Sequence, residues 1–228
     1  SSIGQEGEDV DTKKNLFFLR PSMDFRFNFD KNNQLQISAR RKIEQLNFQD
    51  FASTVSQDDE IVAGNTDLEP QKSWEFEMSY EHRLKEDRGA IKARIFHEAI
   101  SDYTQRIKIS PGISGVGNSG TARINGIEVK GNLRLWFLNL PNFVIESRLQ
   151  VRDTEATDPF TGLKRQMGYR EKVNYDLSFR HDLNNLGISY GAEYTSQYNQ
   201  RQFDIDELII TASPRERLKA FVETKLFW

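Results

Sequence analysis

The chain has 228 residues, 37% hydrophobic and 29% charged, with a mean hydropathy of −0.67. Thirty-one basic against 34 acidic residues give a net charge of −3, so nothing points to a nucleic-acid partner. No apolar run exceeds four residues (Leu16 to Leu19, Leu135 to Leu138), where a spanning helix needs about 20, and zero cysteines exclude disulfides, thiolate metal sites and a cysteine nucleophile. The average looks soluble, yet a barrel alternating polar and apolar residues crosses a bilayer with the same average.

The opening SSIGQEGEDVDTKKN has no apolar h-region and no initiating Met, which predicts a mature form or a piece of something longer. Residues 1–15 are expected to be an external loop or a disordered start, and 16–228 a β-barrel segment. From there a period of two recurs, and helical periodicity almost never does.

Met23, Phe25, Phe27 and Phe29 alternate with polar residues, and Leu35, Ile37, Ala39 and Ile43 follow, with Arg41 on their parity. A bulge resetting the register and an arginine snorkelling at the outer rim both explain Arg41. Trp74, Phe76, Met78 and Tyr80 come next, then Ile127, Val129, Leu133, Leu135 and Phe137, and Phe143, Ile145, Leu149 and Val151. Val173, Tyr175, Leu177 and Phe179, then Ile188, Tyr190, Ala192 and Tyr194, and finally Leu218, Ala220, Val222, Leu226 and Trp228 repeat it. Since successive strand side chains point to opposite faces, each run has one apolar and one polar face. The pattern predicts about nine antiparallel strands near 16–30, 34–46, 72–84, 89–109, 121–138, 142–155, 170–183, 186–200 and 207–228.

Short connections rich in Asn, Asp, Gly or Pro (30–33, 85–89, 139–142, 182–187) alternate with long ones near 47–71, 110–120, 154–169 and 198–215. All short turns then fall at one end of the sheet and all long loops at the other, the layout of outer-membrane barrels. Strands of about 12–14 residues at about 3.3 Å each cover an apolar band of ~25 Å even when tilted by about 45°. Aromatic residues gather near strand ends, where a bilayer interface favours them. The fold class is therefore all-β, an antiparallel up-and-down transmembrane barrel. Glu75, Glu77, Glu81, Glu128, Lys130, Arg134, Glu146, Arg148, Arg152, Asp176, Arg180 and Glu193 are expected to line a hydrated lumen, because a charge facing lipid at the midplane costs about 2–4 kcal/mol. For any single one of them, a cross-strand ion pair that only holds the wall together is the more ordinary explanation.

The stretch Gly64-Asn65-Thr66-Asp67-Leu68-Glu69-Pro70, followed by Trp74-Glu75-Phe76-Glu77, resembles the GN-x-x-L-x-P…E signature in the barrel of TonB-dependent outer-membrane receptors. Gly64 and Asn65 permit a turn with positive φ, and Pro70 blocks helix and ladder just before the strand. Phe18-Leu19-Arg20-Pro21, and Ala39-Arg40-Arg41-Lys42-Ile43 leading to Phe48-Gln49-Asp50-Phe51, are similar to this family too; the likeness is strongest over 16–109. It implies import across the outer membrane of a Gram-negative bacterium. External loops capture a bulky, scarce ligand of the siderophore, cobalamin or oligosaccharide class, and a plug fills the lumen and couples it to the TonB complex. Partners are then outer-membrane lipid, TonB through the plug, and the ligand; no cofactor is implied. Neither plug nor TonB box is recognisable here, and about nine strands do not close a 22-stranded wall. The chain thus reads as a partial barrel from the C-terminal half. The final Phe227-Trp228 resembles the terminal aromatic of outer-membrane proteins, although a fragment ending at Trp explains it as well. The alternative is a complete small outer-membrane barrel (adhesin, protease scaffold or assembly module), which needs a pair between first and last strands. A soluble β protein with its apolar faces packed inward is a third reading.

On the barrel reading, specificity belongs to the long loops, where Arg165, Tyr169, Tyr198 and Arg201 suit an anionic or ring-bearing ligand. Gly115-Val116-Gly117-Asn118-Ser119-Gly120 matches G-x-G-x-x-G, but a strand rather than a helix is expected after it, so it reads as a flexible external loop. His82, His97 and His181 lack metal-ligand spacing, and no Gly-x-Ser-x-Gly elbow occurs. Asp58/Asp59/Glu60 and Asp204/Asp206/Glu207 read as solvated loop charge. No catalytic constellation or enzyme activity is expected.

Overall fold

The computed structural model describes residues 17–47, 50, 54–55, 61–62, 64–111, 113–168, 170–196, 199–203, 208–212 and 217–225. The expectations on 1–15, Phe48/Phe51, the acidic clusters at 58–60 and 204–207, Tyr169, Tyr198 and Phe227-Trp228 lie outside the described residues.

Nine strands form one antiparallel wall: β1 (Ser22–Asn28), β2 (Asn33–Ile43), β3 (Lys72–Arg83), β4 (Gly89–Ser101), β5 (Thr121–Leu135), β6 (Leu140–Thr157), β7 (Val173–Leu183), β8 (Ile188–Thr195) and β9 (Arg217–Thr224). Each pairs with the next along the chain, and a two-residue strand, Lys164–Arg165, adds to the end of β6. Short turns join β1–β2, β3–β4, β5–β6 and β7–β8, and long connections join the others. The two ends of the wall therefore differ as expected. Among the described residues β1 and β9 pair with no other wall strand and not with each other, so the closing pair of a complete small barrel is not formed.

Local chemistry sets the turns. Asp30 Oδ1 accepts from the amides of Asn32 and Asn33 at 2.7 and 2.8 Å, an Asx-type turn between β1 and β2. In the β5–β6 and β7–β8 turns a single 3₁₀ turn ends on a left-handed residue, Asn139 (φ 57°) and Gly187 (φ 63°). Asn and Gly reach that region at lowest cost.

Register aligns the alternation across strands. One cross-strand row reads Phe25, Ile37, Met78, Ile95, Ile127, Val151, Val173. Its side chains are 47, 40, 44, 47, 56, 41 and 47% exposed, so the apolar face is uncovered rather than packed in a closed interior. That removes the basis of the soluble reading. The row one residue on runs Gln36, Ser79, Arg94, Glu128, Gln150, Asn174 on the opposite face. The β2–β3 ladder is unbroken from Asn33 to Ile43, so no bulge resets the register: Arg41 stays on the apolar side, directly opposite Trp74.

Three expected strands end elsewhere. The run 89–109 stops at Ser101, because Asp102 turns left-handed (φ 55°) and Thr104–Ser110 pairs instead with Ile113–Asn118 in a separate hairpin. The G-x-G-x-x-G stretch is thus largely a strand of that hairpin, not a flexible loop. The runs 186–200 and 207–228 likewise lose their loop ends to a hairpin, Asn199–Phe203 with Leu208–Ala212, so the last wall strand starts at Arg217. Alternation persists through such a hairpin because it too is two-faced, and periodicity does not mark where the pairing partner changes. The first strand starts at Ser22 rather than residue 16.

The one apolar core cluster among the described residues sits at the loop end. Ile100, Ala122, Ile124 and Ala156 are buried there with Tyr103 and Met167 from the long loops, and Phe96 packs against them. Its wall residues share parity with Glu98, Glu128 and Thr154, so the charged face turns apolar where the loops fold over it.

Candidate functional site

The register places Glu75, Glu77, Glu81, Glu128, Lys130, Arg134, Glu146, Arg148, Arg152, Asp176, Arg180 and Glu193 together on the polar face. Many join one chain of ion pairs. Lys42 and Arg40 on β2 bind Glu75 on β3, Arg40 at 3.1 Å, and Arg40 reaches Glu77 at 3.4 Å. Glu77 takes Arg94 of β4 at 2.8 Å, and Arg94 reaches Glu128 of β5 at 3.4 Å. Arg148 of β6 binds Glu128 at 2.8 Å and approaches Asp176 of β7 at 3.9 Å, while Lys130 adds a third cation to Glu128 at 3.1 Å. Glu128, its side chain only 5% exposed, is the centre of a ladder crossing six strands. A carboxylate so buried is held by its cations, since burial of an unpaired charge costs several kcal/mol.

Toward the last strands Arg180 binds Asp182 and Glu223, each at 2.9 Å. Glu81 pairs with Arg83 at 2.6 Å, and Arg217 with Glu193 at 3.7 Å. Lys92, Arg134 and Glu146 make no such pair among the described residues. They line a cavity of about 1500 Å³ on the polar face whose walls run from Lys31 in the first turn to Phe221 on the last strand. The sheet is therefore concave on its charged side and convex on its apolar side.

At the opposite end the long connections hold one another. Asn65 Nδ2 donates to the carbonyl of Val116 at 3.0 Å, and Asn65 Oδ1 accepts from the Asp67 amide at 3.0 Å. Asn65 is not left-handed, so the signature uses its side chain rather than its conformational freedom. Leu68 beside it is fully buried. Asn118 Oδ1 accepts from the Glu69 amide at 2.8 Å, and its Nδ2 donates to the carbonyls of Glu69 and Asp102 at 2.9 and 2.8 Å. The Ile107 side chain packs into the space left by Gly117 at this seam, with Cδ1 2.2 Å from where a Cβ would stand, so a larger residue there has to displace it.

Two of the four loop candidates are described, and both are engaged with protein. Arg165, its side chain 14% exposed, donates to Asp158 and Gln105, each at 2.6 Å, and its guanidinium lies 3.7 Å from the Phe203 ring centroid. Arg201 donates to Gln166 Oε1 at 3.1 Å. Burial works to raise the Asp158 pKa, but hydrogen bonds from Arg165, Thr161 and Phe160 outweigh it and hold the carboxyl below its usual range. Burial likewise pushes the Tyr103 phenol up, with Arg165 and Arg170 opposing it. Sequence reasoning missed Gln105 and Phe203, which carry no motif, and Asn118, which lies within the G-x-G-x-x-G match but acts through these loop contacts instead. The histidines are hydrogen-bonded, His82 to Asn33 Oδ1 at 2.7 Å, His97 to Asn125 Oδ1 at 2.6 Å and His181 to the Tyr190 hydroxyl at 3.0 Å.

A family model described as TonB dependent receptor-like, beta-barrel, matches residues 4–222. The chain belongs to this family. TonB-dependent receptor barrels are outer-membrane receptors and transporters. Similar solved structures include the ferric-catecholate import receptor Fiu from E. coli K12 (TM-score 0.57, 14% identity) and the siderophore receptor PirA from Acinetobacter baumannii (TM-score 0.60, 14% identity). The FrpB iron transporter from Neisseria meningitidis is similar as well (TM-score 0.55, 12% identity). They cover 88, 89 and 89% of this chain, which spans 27, 34 and 30% of theirs. At such identities the likeness is one of fold, and the chain corresponds to about a third or less of a TonB-dependent receptor. No curated protein matches it in sequence.

Proposed function

We propose that this chain is part of the barrel of a TonB-dependent receptor that imports a bulky, scarce ligand across the outer membrane of a Gram-negative bacterium. The carrying observation is the two-faced wall: an uncovered apolar row from Phe25 to Val173 backs onto a ladder of ion pairs from Lys42 to Asp176. Hydrocarbon covers the first face and a hydrated lumen faces the second, the arrangement with lowest cost in a bilayer. Lys92, Arg134 and Glu146 are then free to meet a plug coupled to TonB, and the joined long loops form the capture surface. Arg201 belongs to that surface, while Arg165 leaves little of its side chain for a ligand. The siderophore class is favoured because Fiu and PirA are described as receptors for catecholate iron and siderophore.

The test is uptake by cells expressing the full-length receptor with or without TonB, given ferric catecholate, ferric hydroxamate, cobalamin and maltodextrin in turn. The proposal expects TonB-dependent accumulation of a ferric siderophore. TonB-dependent uptake of cobalamin or maltodextrin alone contradicts the siderophore class, and no TonB-dependent uptake at all contradicts the receptor reading.

A further inference from the structure

Arg165 is bound along its guanidinium edge and stacked on its face by residues from three different connections. Nε donates to Asp158 Oδ2 at 2.6 Å and Nη2 to Gln105 Oε1 at 2.6 Å; Nη1 donates to the carbonyl of Gln166 at 3.0 Å. Those partners are themselves fixed. Asp158 Oδ1 accepts from the amides of Phe160 and Thr161 at 3.0 and 2.8 Å and from the Thr161 hydroxyl at 3.0 Å. Gln105 Nε2 donates to the carbonyl of Thr157 at 2.9 Å and to the Ser119 hydroxyl. The Asp158–Arg165–Gln105 array is thus rigid, with side-chain exposures of only 14% and 11% for Arg165 and Asp158.

What this array presents is a flat cationic face, and Phe203 lies on it with its ring centroid 3.7 Å from Cζ. Phe203 ends the first strand of the hairpin Asn199–Phe203/Leu208–Ala212, which among the described residues pairs with no wall strand. Close by, the Arg201 carbonyl approaches Gly168 so nearly that a Cβ there would lie 2.6 Å from it, and Arg201 Nη1 donates to Gln166. All three contacts join this hairpin to the 158–168 segment, and the cation–π contact is the one that Arg165 itself makes. By contrast, the hairpin Thr104–Ser110/Ile113–Asn118 has anchors of its own through Asn118 and Asn65.

We propose that Arg165 is a positioning residue that docks the Asn199–Phe203/Leu208–Ala212 strand pair onto the body formed by the other long connections, so that the capture surface is one preorganised unit. The proposal deepens the receptor reading and rests on it for its functional meaning. Preorganised loops bind more tightly because less ordering is left to do when ligand arrives.

The experiment is hydrogen-exchange mass spectrometry on the full-length receptor in lipid nanodiscs without ligand, so its outcome does not depend on the transported molecule. Arg165→Ala is expected to speed exchange across 199–203 and 208–212 by about tenfold or more, with amides of 104–118 and of β4–β6 unchanged. Phe203→Leu removes the stacking ring but not the Asp158–Arg165–Gln105 array. It is expected to release the same hairpin while 158–168 keeps its protection, which local unfolding of 158–168 would not produce. Full protection of the hairpin in either variant overturns the proposal, as does loss confined to 158–168 in Arg165→Ala.

Discussion

Phe96 and Gly126 face each other across the β4–β5 ladder, and a Cβ at Gly126 would stand 2.2 Å from Cζ of the Phe96 ring. The ring occupies the place of the missing side chain, with the Arg94 guanidinium 4.5 Å from its centroid. A ring also faces a glycine at Gly191 and Phe221 on β8 and β9, where an added Cβ would lie 2.7 Å from the ring and 2.3 Å from the Phe179 carbonyl oxygen. Both pairs lie on the polar face, so cross-strand aromatic rings fill gaps there among the charges.

Gly126→Ala is expected to displace the Phe96 ring from the Arg94 guanidinium and lower stability by about 1–3 kcal/mol, the usual cost of overpacking. Thermal unfolding of the full-length receptor in detergent measures it. Adding Phe96→Ala to Gly126→Ala then costs less than Phe96→Ala does alone, because the clash has gone. Additive losses would contradict the relation.

Glu128 holds three cations in a nearly dry position, whereas its partner Lys130 is half exposed. Glu128→Gln is expected to cost about 2–3 kcal/mol, the lower side for a broken buried pair because Lys130 and Arg148 keep water. Lys130→Ala is expected to cost under about 1 kcal/mol, as for an exposed pair. Denaturant unfolding of both variants provides the comparison, and equal losses would contradict the ladder's centring on Glu128.

Asn118 links the signature loop to the neighbouring hairpin through both atoms of its amide. Asn118→Ala leaves the amide of Glu69 and two carbonyls without this partner, an expected loss of about 1–3 kcal/mol. Limited proteolysis should then cut near residues 64–71, and a cleavage rate equal to wild type would refute the link.

The loop array should loosen in acid. The Asp158 carboxyl is held below its reference value of 3.8, so its contribution is fully present above pH 3.8 and is lost as pH falls through the lowered value. Protection of 158–168 against hydrogen exchange, corrected for the intrinsic rate, is expected to be level from pH 7 to about 5 and to fall below the reference value. In Asp158→Asn the acid-dependent part should vanish; an unchanged pH profile in that variant contradicts the assignment.

The wall was legible because period-two alternation and alternate turn lengths are local features. Ile37, Met78, Ile95 and Ile127 needed only their parity to be placed on one face, and register then set them side by side. The loop hairpins were not legible, since Ile107 and Leu208 continue an alternation whose partner strand changes at Asp102 and again beyond residue 200. Arg41 shows the same limit from the other side: its parity was plain, but the unbroken β2–β3 ladder was needed to decide against a bulge. Arg165 was singled out for its chemistry and its place in a long connection. Its partners, Gln105 and Phe203, are 60 residues before and 38 after it, and no spacing rule joins such distances.

The zero-cysteine sequence allows single spin labels to be placed without background in this segment. Labels at Ile95, Ile127 and Val151 on one face, and at Ser79, Gln150 and Asn174 on the other, would be measured in the full-length receptor reconstituted in lipid bilayers. Collision with oxygen, which enters hydrocarbon, and with a water-soluble nickel chelate would be compared for each. The account predicts high oxygen and low nickel accessibility at 95, 127 and 151, with low oxygen accessibility at 79, 150 and 174. High nickel accessibility at the apolar positions, or oxygen accessibility equal on both faces, would contradict it.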